Sequence, residues 1–251
     1  MSALTKVAGG SHSFFSTPSE VITWEEPYLP SEVPELEVTF DGGIALLSIP
    51  AFSSGRENDI GQYLESAARV FDSERARSAC GWILDLRSNT GGDMRAMLVA
   101  VSPLLDNGTV MTFQNRDGTS SNVVVSGTSV SWGDSDWGSL PDRAPKLEGR
   151  PIALLQSAST ASAAEGIILA FTGQESTATY GFSTAGYTTV NGGFDLSDGS
   201  VVTLSFALMG DRNQNFHEGS IEPNFAVGKS QIPPLESARN SITNQCDRSR
   251  S

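Results

Sequence analysis

Apolar residues arrive along this chain in two rhythms: short continuous runs, and longer stretches with helical spacing. LEVTFD and IALLSIPAF are runs of strand length parted by Gly42-Gly43, which predicts a hairpin. From Asp59 to Ala79, Ile60, Leu64, Ala67, Ala68 and Phe71 recur on one face of a helix. GWILDLRS is apolar enough for a buried strand, and Asn89-Thr90-Gly91-Gly92-Asp93 turns sharply after it. Met94 to Leu105 predicts the next helix, ended or kinked by Pro103. VMTFQN and SNVVVSG read as antiparallel strands, and SWGDSDWGSLPD as a loop. Trp132 and Trp137 in that loop either line a groove or fill a satellite core.

The stretch PIALLQSASTASAAEGIILAF, Pro151 to Phe171, organises the rest. Ile152 to Leu155 is a strand, an elbow of small residues follows, and Ala163 to Phe171 is a buried helix. Then come TATYG as a strand, two or three strands in GYTTVNGGFDLSDGSVVTLSFALM with a turn at Asp198-Gly199, and a loop with a last strand over 211–228. PPLESARNSITNQ closes the pattern as an amphipathic helix. At the other end, MSALTKVAGG reads as the tail of a helix capped by Gly9 and Gly10, with its upstream part missing. Residues 18–36 are rich in Pro and Glu and predict an extended surface arm. The strand–strand–helix order implies α/β layering. With no linker or fixed-period repeat, the division is an arm over 1–36 carrying Ser11-His12 and one core domain over 37–251.

Composition changes this picture little. A chain of 251 residues, 38% apolar and 18% charged, has the balance of an ordinary globular domain. The net charge of −13, with Lys6, Lys146 and Lys229 the only lysines, argues against nucleic acid as a partner. No apolar run is long enough to span a membrane, and the N-terminus lacks a signal-peptide core. Two His and two Cys without ligand spacing speak against a metal site, and no cofactor motif occurs. Cys80 and Cys246 are far apart and free to pair, but the apolar run after Cys80 favours a buried free thiol.

Candidate chemistry centres on Ser162, where the elbow becomes helix. Unpaired backbone N–H groups and the helix dipole there favour negative charge on a bound intermediate. The same serine stands in S-x-x-E spacing with Glu165, which is also how an ordinary helix cap reads. Gly91-Gly92 permits close approach of backbone amides to a substrate carbonyl, or is a plain strand-to-helix turn.

Three stretches together resemble one family. IALLSIPAF with GWILDLRSNTGGD, SASTASAAEG, and Asp198-Gly199-Ser200 with Ile221-Glu222-Pro223 resemble, in order and spacing, the motifs of the C-terminal-processing (tail-specific) serine peptidases. The likeness covers most of residues 37–228. It implies a crotonase-like (Clp-protease/crotonase) fold of stacked strand–strand–helix units. It also implies Ser162 as nucleophile, and an oxyanion hole from Gly91 or Gly92 with Ala163. The substrate implied is a peptide or unfolded protein, hydrolysed through an acyl-enzyme. Assembly into oligomers and an extracytoplasmic setting follow from the same likeness.

The chain departs from the family in one respect. Many members use a lysine base about 25 residues beyond the serine, in an F-G-K-G turn. Here that region reads Tyr180-Gly181-Phe182-Ser183, and no lysine lies between Lys146 and Lys229. Ser11-His12 resembles the Ser–His pair of the tricorn-protease branch, whose Ser–His–Ser–Glu tetrad replaces the Ser–Lys dyad. The resemblance implies that His12 activates Ser162, Ser11 orients the imidazole and Glu218 holds Ser11. The bland readings are a packing role for His12 beside Phe14-Phe15, a cap for Glu165 and an exposed loop for His217. One branch of the superfamily lacks the lysine and binds retinoids or fatty acids. A non-catalytic module for apolar ligands, or an inactive pseudo-peptidase, is therefore the alternative.

Overall fold

The structure is a computed structural model that describes residues 10–25, 29, 32–227 and 232–250; the expected N-terminal helix tail lies outside them. In chain order its elements are β1 (Phe14–Ser16), α1 (Pro18–Glu25), β2 (Glu37–Asp41), β3 (Ile44–Ser48), α2 (Glu57–Asp72), α3 (Glu74–Ser78), β4 (Gly81–Asp85) and α4 (Met94–Val101). Then follow β5 (Gly108–Asn115), β6 (Ser120–Ser126), β7 (Ser129–Trp132), β8 (Ser135–Ser139), β9 (Ile152–Gln156), α5 (Ala163–Phe171), β10 (Thr177–Gly181), β11 (Thr189–Asp195), β12 (Val201–Asp211), β13 (Phe225–Ala226) and α6 (Pro234–Arg250).

The apolar runs assemble into a six-stranded sheet in the order β13-β10-β9-β4-β3-β2. All its pairings are parallel except β2–β3, which is the hairpin expected across Gly42-Gly43. Parallel strands are covered on both faces, which is why β4 and β9 read as unbroken apolar runs. On one face α6 seals Ile44, Ile83, Ala153 and Leu155 with Ala238 and Ile242. The other face meets the main core, where α2, α4 and α5 bury Phe71, Met97 and Ile168 against Leu47, Leu84 and Leu154.

The alternating segments make a second, antiparallel sheet, β1-β12-β5-β6-β7-β8, with β11 also paired to β12. Strand β12 is its spine: Val201 to Thr203 pair with β1 and Ala207 to Asp211 with β5. Through β1, the segment that begins at Ser11-His12 is stitched to the distant end of the chain.

Four expectations are corrected. The Pro-rich arm is not extended over 18–25 but forms α1, because Pro18 takes the first helical position, where no N–H is needed. Thr17 and Glu20 cap it reciprocally, Thr17 N–H donating to Glu20 Oε2 at 2.7 Å. The helix expected over 59–79 breaks at Ser73, whose hydroxyl accepts from Ala76 N–H and starts α3. The loop over 131–142 contains the hairpin partner β8, and Trp132 and Trp137 pack on Phe113 with ring centroids 5.3 and 6.4 Å away. Cys80 is not a free thiol: it is bonded to Cys246 with a Cα–Cα separation of 5.7 Å. The reason is topological, since α6 crosses the sheet beside β4 and brings a residue 166 positions away next to the start of that strand.

That cross-link closes most of the chain into a loop. Replacing both cysteines with serine should lower unfolding stability by about 2–5 kcal/mol. Denaturant melts of the variant, and of the protein with and without reductant, measure it; superimposable curves would contradict the assignment.

Candidate active site

Ser162 lies at the N-terminus of α5, held by contacts from three directions. The Ser- and Thr-rich elbow is glued to the carbonyls at the end of β4: Ser157 Oγ donates to Arg87 O at 2.6 Å and Thr160 Oγ1 to Leu86 O at 2.8 Å. Ala161 N–H donates to Asn89 O, so the elbow lies against the Gly91-Gly92 turn. From the third side comes Glu165, a carboxylate with no exposure to solvent. It accepts the N–H groups of Ser162, Gly186 and Tyr187, each at 2.8 Å, and the hydroxyl of Thr184.

The capping box expected from S-x-x-E is therefore present, but its two halves are unequal. Glu165 binds Ser162 N–H firmly, whereas the Ser162 hydroxyl makes no full cap hydrogen bond and stays available. Ser162 also has φ 53° and ψ −116°, a left-handed conformation costly for a side chain with a Cβ. A residue held there at about 1–3 kcal/mol of strain is over-determined by its surroundings, and such positions cluster at functional sites.

The Gly-Gly turn faces this serine at close range. A Cβ on Gly91 would lie 2.9 Å from Ser162 Cβ, and one on Gly92 would lie 1.9 Å from Phe52 O. Both have positive φ, at 100° and 127°. Their amides differ in use. Gly91 N–H is taken by Asn89 Oδ1 at 2.8 Å. Gly92 N–H and Ala163 N–H make no hydrogen bond among the described residues, and both residues line one cleft with Ser162. Of the three expected oxyanion donors, those two are open.

That cleft, of about 670 Å³, runs between the sheets and is lined by His12, Ser162, Gly92, Ala163, Phe113, Trp132, Trp137, Phe206 and Met209, with the Asp93–Arg95 ion pair also on its wall. Residues 150 positions apart in sequence thus share one cavity. The His12 ring stacks at a tilt on Tyr187, centroids 5.0 Å apart, and its Nδ1 is 2.8 Å from Thr189 Oγ1. Burial pushes its pKa below the ordinary histidine value, opposed by a hydrogen bond to the Thr189 backbone rather than to its hydroxyl.

The side-chain contact of the imidazole among the described residues is with Thr189, not with the expected Ser11. Ser11 is exposed in the turn before β1, Glu218 is exposed in the loop after β12, and neither bonds to His12 or to the other. They line a second cavity that His12 also borders, together with Gln114 and Arg116. The side chain that meets the imidazole is Thr189 of β11, which pairs with β12 on the edge opposite β1. Sequence reasoning missed it, since a lone threonine in a strand gives no signal of its own. His217 is half-buried, its N–H on Met209 O, and does not line the cleft. No cluster of three or more His, Cys, Asp or Glu suited to a metal occurs among the described residues, and no described helix is long and apolar enough to cross a membrane.

Residues 43–227 match peptidase family S41. The chain is 29% identical over 240 residues to a nisin-resistance protein from Lactococcus lactis subsp. lactis, covering 94% of this chain and 72% of the relative. Among solved structures it resembles a lipoprotein from Streptococcus agalactiae at 25% identity and TM-score 0.78, covering 97% of this chain and 80% of the other. It also resembles a putative S41 protease from Bacteroides fragilis NCTC 9343 at 15% identity and TM-score 0.57, covering 86% and 57%. The last likeness is one of fold alone.

Glu165→Gln keeps the size of the side chain but turns one acceptor into a donor facing backbone N–H groups. It should lower stability by about 2–3 kcal/mol. Chemical denaturation of the variant tests this; a loss under about 0.5 kcal/mol would mean that the carboxylate is not what ties α5 to residues 184–187.

Proposed function

The chain belongs to peptidase family S41, and on that footing we propose that it is a serine peptidase in which Ser162 is the nucleophile and His12 the general base. The observation that carries this reading is the meeting of four groups on one cleft: a strained serine with an available hydroxyl, an imidazole, and the open amides of Gly92 and Ala163. Ser162 Oγ would attack a peptide carbonyl while His12 accepts its proton. The developing oxyanion would be stabilised by the two amides, at roughly 3 kcal/mol each. His12 would then return the proton to the leaving amine, and water would hydrolyse the acyl-enzyme. Cleavage toward the carboxyl end of the substrate is the finer form of this reading, carried by the family resemblance. The βαβ succession of the six-stranded sheet supports the crotonase-like description of the fold.

The aromatic wall of the cleft, Phe113, Trp132, Trp137 and Phe206, favours apolar side chains in the substrate. It also supports the second reading, an apolar-ligand binding module of the same fold. A relative named for nisin resistance makes nisin a test substrate alongside unfolded casein.

Ser162→Ala should reduce hydrolysis of casein or nisin by at least 10³-fold with the thermal melt unchanged. A fluorophosphonate probe should label the wild type and not the variant. Labelling that survives the substitution would remove Ser162 from the mechanism. Tight fluorescent fatty-acid or retinoid binding without hydrolysis would favour the binding module.

The pH dependence has a defined sign. A base must be neutral to act, and burial lowers the His12 pKa, so the neutral form persists to lower pH than for an exposed histidine. The acid limb of kcat/KM should fall below pH ~6.5, with activity lost as pH drops through it. A limb that lies above neutrality would contradict His12 as the base.

A further inference from the structure

His12 has no carboxylate partner among the described residues; what it has is a closed ring of neutral groups. Thr189 Oγ1 is 2.8 Å from His12 Nδ1 and 2.9 Å from Ser205 Oγ. Ser205 Oγ donates to Asn191 Oδ1 at 2.9 Å, and Asn191 Nδ2 donates to His12 O at 3.1 Å. Ser205 N–H donates in turn to Ser13 Oγ at 2.9 Å, one residue beyond the histidine. The ring starts and ends on the same residue, and Ser205 is buried.

This ring has a direction. Asn191 uses its Nδ2 on the His12 carbonyl, so its oxygen faces Ser205. An amide oxygen only accepts. Ser205 must therefore give its proton to Asn191, leaving its own oxygen to accept from Thr189. Thr189, whose proton goes to Ser205 at 2.9 Å in preference to the longer 3.5 Å approach to Asn191 Oδ1, then has only a lone pair for the histidine. The arrangement that makes each of these short contacts a hydrogen bond puts a proton on His12 Nδ1 and leaves Nε2 bare.

Backbone geometry builds the ring. Thr189 and Asn191 are two apart on β11 and so share a face. Register shifts between Val190 and Asn191, where a bulge pairs Asn191 with Ser205 after Val190 has paired with Ala207. Without the bulge Asn191 would sit opposite Phe206, whose side chain points to the other face. Bulges re-aim side chains in this way beside active sites.

We infer that Thr189, locked by Ser205 and Asn191, is the positioning residue that fixes the Nδ1–H tautomer of His12 and aims Nε2 at Ser162, an acid-free counterpart of the carboxylate that orients histidine in other serine hydrolases. The inference rests on the proposed roles of Ser162 and His12. No proton travels along the ring: the Ser162 proton moves to Nε2 and back to the leaving amine, while the Nδ1 proton stays on the imidazole. Neutral hydroxyls orient the ring without holding a charge beside it. Other titratable and charged groups around His12 are Tyr187 on its face, Arg116 and Glu218 lining the cavity on one side, and the paired Asp93 and Arg95 on the cleft wall.

Two measurements test it. In the full chain carrying His217→Gln, so that His12 is the only histidine, nitrogen-15 shifts above the imidazole pKa should report the Nδ1–H tautomer. Thr189→Val should convert it to a mixture or to Nε2–H. In hydrolysis assays, Thr189→Val should lower kcat ten-fold or more with KM within about two-fold, and Thr189→Ser should restore kcat to within about three-fold of wild type. A wild-type His12 protonated on Nε2 would overturn the inference without reference to activity. So would equal losses in Thr189→Val and Thr189→Ser, which would assign the effect to packing. Loss of the Ser162 and His12 roles is a separate result, read from Ser162→Ala and His12→Ala retaining full hydrolysis.

Discussion

A single buried carboxylate holds the site region together. Glu165 emerges from the first turn of α5, away from water, and gathers three backbone N–H groups and one hydroxyl from two segments about twenty residues apart. One of those N–H groups belongs to Ser162, so the carboxylate helps hold that residue in its left-handed conformation. The others belong to the loop that leads into β11. A buried charge with every lone pair occupied specifies geometry more than it adds stability. Here the geometry specified is the position of the serine relative to the strand that carries Thr189.

The opposite wall depends on glycine. Gly92 approaches Phe52 O so closely that no side chain fits, and Asp93 N–H bonds to that same oxygen at 2.6 Å. The turn is therefore pinned against the segment after β3, with the Gly92 amide left open on the cleft side. Asn89 pins it from beneath, donating to Ile49 O, accepting from Gly91 N–H and offering its carbonyl to Ala161. The elbow and the turn are thus one hydrogen-bonded unit, which is why a stretch of serines, threonines and alanines with little intrinsic preference adopts one shape. All parts of this unit fall within residues 43–227, the span that matches peptidase family S41. His12 falls outside that span. It reaches the cleft through β1, which makes the antiparallel sheet as necessary to the site as the parallel one.

Much of this was legible from residue order. Strands buried on both faces announce themselves as continuous apolar runs, and those at 44–48, 81–85 and 152–156 were identified because nothing polar interrupts them. The helix at 163–171 and its capping carboxylate were legible because S-x-x-E before an apolar stretch is a local code. Local codes also misled. Prolines over 18–36 suggested an extended arm, but the first of them opens a helix. Glycines and serines around Trp132 and Trp137 suggested a loop, but an edge hairpin tolerates them where a central strand does not.

Chain order and side-chain chemistry thus specified the layers, the serine at its elbow and the paired glycines, since each depends on neighbours within a few positions. Tertiary structure decided the rest: that Cys80 meets Cys246, that Gly92 rather than Gly91 keeps an open amide, and that Thr189 rather than Ser11 meets the His12 ring. These turn on which residue lies opposite which across a strand register or a helix crossing. A shift of one position, such as the bulge at Asn191, changes every partner on that face without altering the pattern of apolar and polar residues that a reader of the sequence can see.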